Sequence, residues 1–194
     1  QGPILEDEDK MIGVVRLGQG IRWYNIKITG QESHSGTTPM HLRKDAMVAA
    51  ANVVSEMEAI AGRHENGLGT VGFMQVYPNS RNTIPGQVTF SADLRNPNPD
   101  VLLTMHNELL DFCKAQSIAR GLEIEVDPFW YFAPVTFSAS EDVKAATEAL
   151  GYSHMDIYAG AGHDACYMAD LVPTGMIFTP CENGISHNEI ENTT

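Results

Sequence analysis

Between Arg22 and Val126 the apolar residues switch their spacing from every second position to every third or fourth and back again, and the order of these switches constrains the fold more than any other feature. Residues 22–29 alternate, with Tyr24, Ile26 and Ile28 on one face and Trp23, Asn25 and Lys27 on the other, as a half-buried strand requires. A polar loop runs from Gly30 to Leu42. From Arg43 to Ala61, residues Ala46, Ala49, Ala50, Val53, Val54, Met57 and Ile60 form one apolar stripe, which predicts an amphipathic helix ended near Gly62. Strand character returns over Thr70 to Tyr77, breaks at Pro78-Asn79, and resumes over Gln87 to Arg95, where Val88, Phe90, Ala92 and Leu94 share a face. Pro97 and Pro99 punctuate, Asp100 is the expected cap of a helix reaching about Ala119, and Gly121 opens a last strand, Leu122 to Val126. The order β-α-β-β-α-β predicts a ferredoxin-like domain over residues 21–137, a four-stranded antiparallel sheet with two helices on one face.

The flanks follow a different pattern. Met11 to Leu17 reads as a short strand. After Phe137 come a helix (Glu141 to Leu150), a strand (Met155 to Tyr158), a helix (Asp164 to Ala169) and a strand (Gly175 to Thr179), the alternation of α/β layers. Each flank is too small to bury a core alone. The expectation is therefore an α+β chain in which the ferredoxin-like unit is inserted into a partial α/β domain made of residues 1–20 and 138–194, with the chain truncated at both ends.

Charge and composition exclude some functions. Twelve Lys and Arg against 25 Asp and Glu give a formal charge of −13, the wrong sign for neutralising a nucleic-acid backbone. No apolar run approaches the roughly 20 residues that span a bilayer, and the acidic stretch from Gln1 to Lys10 is not a signal peptide. Cys113, Cys166 and Cys181 are odd in number and widely spaced, which predicts packed thiols in a reducing, cytoplasmic compartment rather than a disulfide framework.

Four places carry residues suited to chemistry. His34 lies in the loop Gly30–Met40, where an imidazole can donate hydrogen bonds or move protons; read alone, it is more readily a loop histidine bonded to a nearby carbonyl. Asn82 lies in Asn79–Gly86 and offers a donor and an acceptor, yet Asn and Gly also serve turns routinely. Asp93 and Arg95 share a strand face; Arg95 either grips a carboxylate bidentately or forms a structural ion pair. His163 and Asp164 in Gly160–Asp164, and His187 and Glu189 in Gly184–Glu189, stand at strand ends where α/β folds bind ligands. They are candidate metal ligands or supports of ligands, without a self-sufficient spacing such as HExxH. His41, His64, His106 and His154 read as surface histidines.

Taken in order, the strings QGPILE, IGVV, GIRWY, GQESHSGTTPM, RKDA, VYPNSRNTIPG, DLR, AGAGHDA, GMIF and GISHNE run across nearly the whole chain. In them the chain closely resembles the family of N-carbamoyl-L-amino-acid hydrolases, β-ureidopropionases and allantoate amidohydrolases, relatives of the aminoacylases and carboxypeptidases. The resemblance implies an α/β catalytic domain holding two Zn²⁺ or Mn²⁺ ions, and a ferredoxin-like lid inserted in it that makes a homodimer. It further implies that His187 is a metal ligand, and that Gln1 follows a ligand histidine in the family string HIEQGP and lies at the substrate site. The remaining ligands and the general-base glutamate would lie upstream. His34 would reach the partner subunit's active site and stabilise the developing oxyanion. Asn82 and Arg95 would bind substrate, Arg95 through its carboxylate, and Gly160 would line the site.

The reaction implied is hydrolysis of the ureido C–N bond of a carboxylate-bearing substrate, yielding ammonia, carbon dioxide and the amino acid. The 194 residues alone, with one ligand of a two-metal set, are expected to be inactive. Two other readings compete: an aminoacylase or dipeptidase of the same clan, and a non-catalytic dimerisation or binding module.

Overall fold

The computed structural model describes residues 2–186 and 188–193. In chain order its first elements are α1 (Ile4–Asp7), β1 (Ile12–Gly18), β2 (Gly20–Thr29), β3 (Ser33–His34), α2 (Ala46–Arg63), β4 (Leu68–Thr70) and β5 (Met74–Tyr77). Then follow β6 (Thr83–Ile84), β7 (Gln87–Asn96), α3 (Pro99–Arg120), β8 (Glu123–Phe132) and β9 (Val135–Thr136). The last are α4 (Ser140–Ala149), β10 (His154–Ala159), α5 (Asp164–Met168) and β11 (Met176–Phe178). The result is a mixed α/β chain with antiparallel sheets. It divides into two units: Gln1–Gln19 with Pro134–Thr194, and Gly20–Ala133. The short strand β9 falls in the first unit because it pairs with Leu17 and Gly18 of β1.

The unit Gly20–Ala133 is built on one antiparallel sheet in the order β4-β7-β2-β8, with β5 also on β7. Tyr24, Ile26 and Ile28 of β2 meet Val88, Phe90, Ala92 and Leu94 of β7 in one core. Ala49, Ala50, Val53, Met57 and Ile60 of α2 and Leu102, Met105 and Leu109 of α3 join the same core. Both helices therefore cover one face of the sheet, and burying the medium and large apolar side chains here contributes roughly 1.5–3 kcal/mol each before the entropy of ordering is subtracted.

Helix α2 begins at Asp45, whose Oδ1 accepts from Met47 N (2.9 Å) and Val48 N (3.2 Å). Helix α3 is capped by Asn98, not by Asp100, which instead donates its backbone N–H to Asn98 Oδ1 (2.9 Å). Pro99 follows at the first helical position and Gly121 closes the helix in the left-handed region (φ 60°, ψ 40°), the usual asymmetry of helix ends. The strand expected over Thr70–Tyr77 is two short strands, β4 and β5. Strand β8 runs six residues past the expected Val126, because Asp127-Pro128 interrupts an edge strand, where a missing N–H is tolerated. The register shifts there, so that Trp23 faces Trp130 while Asn25 faces Asp127, a bulge opposite Tyr24.

Of the expected surface histidines, His41 is exposed, but His64, His106 and His154 are half-buried. His64 Nε2 lies 2.9 Å from Glu108 Oε1. His106 Nδ1 lies 3.0 Å from the Tyr24 hydroxyl beneath α3. Burial, and secondarily the Arg22 cation, hold the His106 pKa below its ordinary value, and burial raises that of Tyr24.

In the other unit β1 lies between β10, which is parallel to it, and β11, which is antiparallel. Val14 and Val15 of β1 are fully buried, and Ile157, Phe178 and Phe137 pack in the same unit. Among the described residues no helix is long and apolar enough to cross a membrane. Cys113, Cys166 and Cys181 are buried free thiols, and burial pushes Cys113 up to about 12.

Candidate functional site

Beyond Thr29 the chain leaves the sheet through Gly30, whose N–H donates to Gly86 O (2.7 Å). The backbone is packed so closely here that a side chain on Gly30 would overlap the Lys44 carbonyl. The loop that follows folds into a miniature ladder, with Ser33 opposite Ile84 and His34 opposite Thr83. Ser35 N donates to Asn82 O (2.9 Å), so His34 and Asn82 come together.

Both are exposed, and each has its acceptor atom engaged locally. His34 Nδ1 accepts from Gly36 N (3.1 Å), which places the proton of the neutral ring on Nε2 and makes that nitrogen the donor. A Cβ on Gly36 would lie 3.2 Å from the His34 ring, so a small residue keeps the ring in place. Asn82 Oδ1 accepts from Ser80 Oγ (3.0 Å), so the group Asn82 offers is its amide N–H₂. The ladder thus presents two donors of the kind that stabilise negative charge developing on an oxygen.

Arg43, not singled out from the sequence, holds this loop: its Nη2 donates to Ser35 O (2.7 Å) and its Nε to Thr38 O (3.1 Å). Because charge-assisted hydrogen bonds contribute about 1.5–3 kcal/mol, Arg43→Ala is expected to loosen residues 33–42 while leaving the sheet intact. Amide hydrogen exchange would show protection lost at Ser35 and Thr38 and retained at Phe90 and Ala92; unchanged protection in the loop would refute the assignment.

Arg95 lies elsewhere. Its Nε and Nη2 grip the Asp93 carboxylate, with Nη2–Oδ2 at 2.5 Å, so the ion pair within the strand is formed. His34 and Asn82 adjoin the Gln87 end of β7, whereas Arg95 is at the other end, about 27 Å away at the rise of an extended strand. Within one copy of this unit, these residues do not converge.

In the other unit, Gly160 follows β10, and a Cβ on it would meet no atom within 4 Å. The His163 ring packs against Phe178, with centroids 5.6 Å apart, while Asp164 and Glu189 are exposed. Gln1 and His187 lie outside the described residues. Among the described residues no three His, Cys, Asp or Glu side chains gather where they could hold a metal ion; the donor set needed for a metal pair is not met by them.

Two cavities accompany these features. One of about 580 Å³ is bordered by Glu6, Lys10 and Tyr152 and touches none of the expected site residues. The other, of about 300 Å³, lies on the helix-free face of the Gly20–Ala133 sheet and is bordered by Asp93, the partner of Arg95. An aromatic run beside it, Phe129 to Phe132, passed unrecognised in the sequence because Asp127-Pro128 reads as a strand breaker.

The model of peptidase family M20/M25/M40 matches residues 1–194. The chain is similar to the N-carbamoyl-L-amino-acid amidohydrolase of Rhizobium meliloti, 43% identical over 195 residues, covering 99% of this chain and 47% of that protein. It is 35% identical to the allantoate amidohydrolase of Escherichia coli (strain K12) over 197 residues, covering 100% of this chain and 48% of the relative. A crystal structure of an amidase of the hydantoinase/carbamoylase family from Burkholderia multivorans superposes with a TM-score of 0.95 at 49% identity, covering 100% of this chain and 48% of that one. The chain spans about half the length of the curated relatives it matches.

Proposed function

Since this chain belongs to peptidase family M20/M25/M40, we propose that the protein hydrolyses the carbamoyl C–N bond of N-carbamoyl-L-amino acids to ammonia, carbon dioxide and the amino acid. The observation that carries this reading is the 43% identity, over 99% of the chain, to a relative named for that activity. Allantoate is the second reading, favoured by the 35% identity to an allantoate amidohydrolase; it too presents ureido groups and a carboxylate.

In this reading the unit Gly20–Ala133 is a ferredoxin-like lid and dimerisation domain, inserted in an α/β catalytic domain to which residues 1–19 and 134–194 contribute. The sheet order β8-β2-β7-β4 with both helices on one face supports the first part. The parallel β1–β10 ladder supports the second. Arg95, oriented by Asp93, holds the substrate carboxylate. His34 Nε2–H and the Asn82 amide donate to the oxygen on which charge develops. Gly160 and Gln1 line the substrate.

These roles demand two copies of the chain. A substrate of amino-acid size cannot touch both ends of a strand about 27 Å long, so Arg95 of one protomer and His34 with Asn82 of its partner would share each site in a homodimer. Enzymes of this family generally depend on two metal ions, and such ions polarise a carbonyl and activate water. His187 is proposed as one ligand, the ions being Zn²⁺ or Mn²⁺. The other ligands and the general base would be supplied by the remainder of the protein. Buried free thiols fit a cytoplasmic location.

The test is ammonia release. The protein at the length of its relatives should release ammonia from N-carbamoyl-L-amino acids, and the 194 residues alone should release none. Preferential turnover of allantoate would install the second reading, and release of an amino acid from N-acyl substrates without ammonia would refute both.

A further inference from the structure

The cavity of about 300 Å³ on the open face of the sheet shares Asp93 with the Arg95 ion pair. Resting on the reading of Arg95 as the carboxylate clamp, we propose that this cavity receives the substrate's side chain and that the enzyme takes N-carbamoyl amino acids bearing large aromatic side chains.

The walls fit such a guest. Trp23 and Phe129 border the cavity, their centroids 6.3 Å apart and their rings tilted 44°. Both are more open than aromatic side chains usually are, at 38% and 52% of full exposure. A third ring laid against them would gain the tilted contacts aromatic groups prefer and would cover apolar surface now in water. The bulge in β8 lies beside Phe129, and bulges re-aim side chains at sites of this kind. The volume is at the lower end of the range for small-molecule sites.

The order of residues along the strands sets the orientation. On this face Arg95 is followed by the Asp93–Trp23 pair and then by the Ser91–Asn25 pair. The Arg95 guanidinium already lies against Asp93, so the Ser91–Asn25 pair is one same-face repeat further, about 7 Å. That step is comparable with the reach from the carboxylate of an aromatic amino acid to the far edge of its ring. Ser91 and Asn25 therefore stand where a phenol or indole polar atom would arrive, with the Thr70 hydroxyl on the flank.

The molecule carries its own reporter and its own probe position. Its two tryptophans, Trp23 and Trp130, have rings 4.6 Å apart, so tryptophan emission reports on this wall alone. Gly72 also borders the cavity, and a Cβ there would meet no atom within 4 Å. Gly72→Leu thus fills the cavity without displacing backbone.

The experiment titrates the chain with N-carbamoyl-L-phenylalanine, N-acetyl-L-phenylalanine and N-carbamoylglycine while tryptophan emission is followed. A saturable change is expected with N-carbamoyl-L-phenylalanine, none with N-carbamoylglycine, and a loss of affinity of about tenfold or more in Gly72→Leu with an unchanged far-ultraviolet circular dichroism spectrum. Equal binding of N-acetyl-L-phenylalanine, with the same sensitivity to Gly72→Leu, would support the pocket while counting against the ureido reading. No saturable change with either phenylalanine compound, or equal affinity in Gly72→Leu, overturns the pocket; ammonia release by the longer protein would then still uphold the hydrolase reading.

Discussion

His34→Ala and Arg95→Ala, each made alone in the protein at its relatives' length, are expected to lower kcat/KM for an N-carbamoyl amino acid by roughly 10²–10³-fold, and mixing the two variants is expected to recover part of the activity. His34 adjoins one end of β7 and Arg95 stands at the other, so a site that uses both must draw them from different protomers. A mixed dimer of the two variants then contains one site with both defects and one with neither. Arg95→Ala should act mainly on KM, since the carboxylate contact exists before and during reaction, whereas His34→Ala should act on kcat. Recovery requires subunit exchange, which size-exclusion chromatography of differently tagged copies can verify. If exchange occurs and activity stays at the level of the single variants, the two-copy arrangement is refuted.

Gly30→Ala is expected to destabilise the Gly20–Ala133 unit by about 3 kcal/mol or more, the upper end of what overpacking costs. The added methyl would overlap the Lys44 carbonyl oxygen, and behind it stands Leu122 Cδ2 at 2.8 Å. Neither can yield cheaply. Lys44 O accepts from Gln31 N (2.9 Å), and the next residue, Asp45, caps α2. The backbone would have to separate where the loop bearing His34 leaves the sheet. Urea denaturation followed by tryptophan emission from Trp23 and Trp130 would measure the loss, and a midpoint within error of the parent protein would contradict the close packing described.

Much of the sheet was legible in the sequence because side chains in a regular strand alternate faces. Tyr24, Ile26 and Ile28 are buried, as their spacing required. Local rules also placed the possible Asp93–Arg95 contact, since residues two apart in a strand share a face. What escaped were features set by long-range pairing. The ladder uniting His34 with Asn82 is two residues long on each side, too short for any periodicity. Arg43 looked like the first residue of a helix rather than a donor to carbonyls five and eight residues before it. The aromatic wall of the cavity was hidden behind Asp127-Pro128, which ends most strands and here only bulges one.

The pairing of Ile21 with Phe132 carries a consequence for how such a chain is assembled. The strands by which the inserted unit is entered and left are hydrogen-bonded neighbours, about 5 Å apart. A ribosome delivers β1 long before β10, and in an unfolded chain bringing them together would require closing a loop as long as the whole insertion. Once that unit has folded, its two ends are already side by side, and the loop left to close is the short step from β1 to β2 together with the stretch from Phe132 to β10 that carries α4. By the logarithmic dependence of closure entropy on length, the saving is on the order of 1.5 kcal/mol. The unit that carries His34 and Arg95 would thus act as the clasp that lets the split α/β portion find its register.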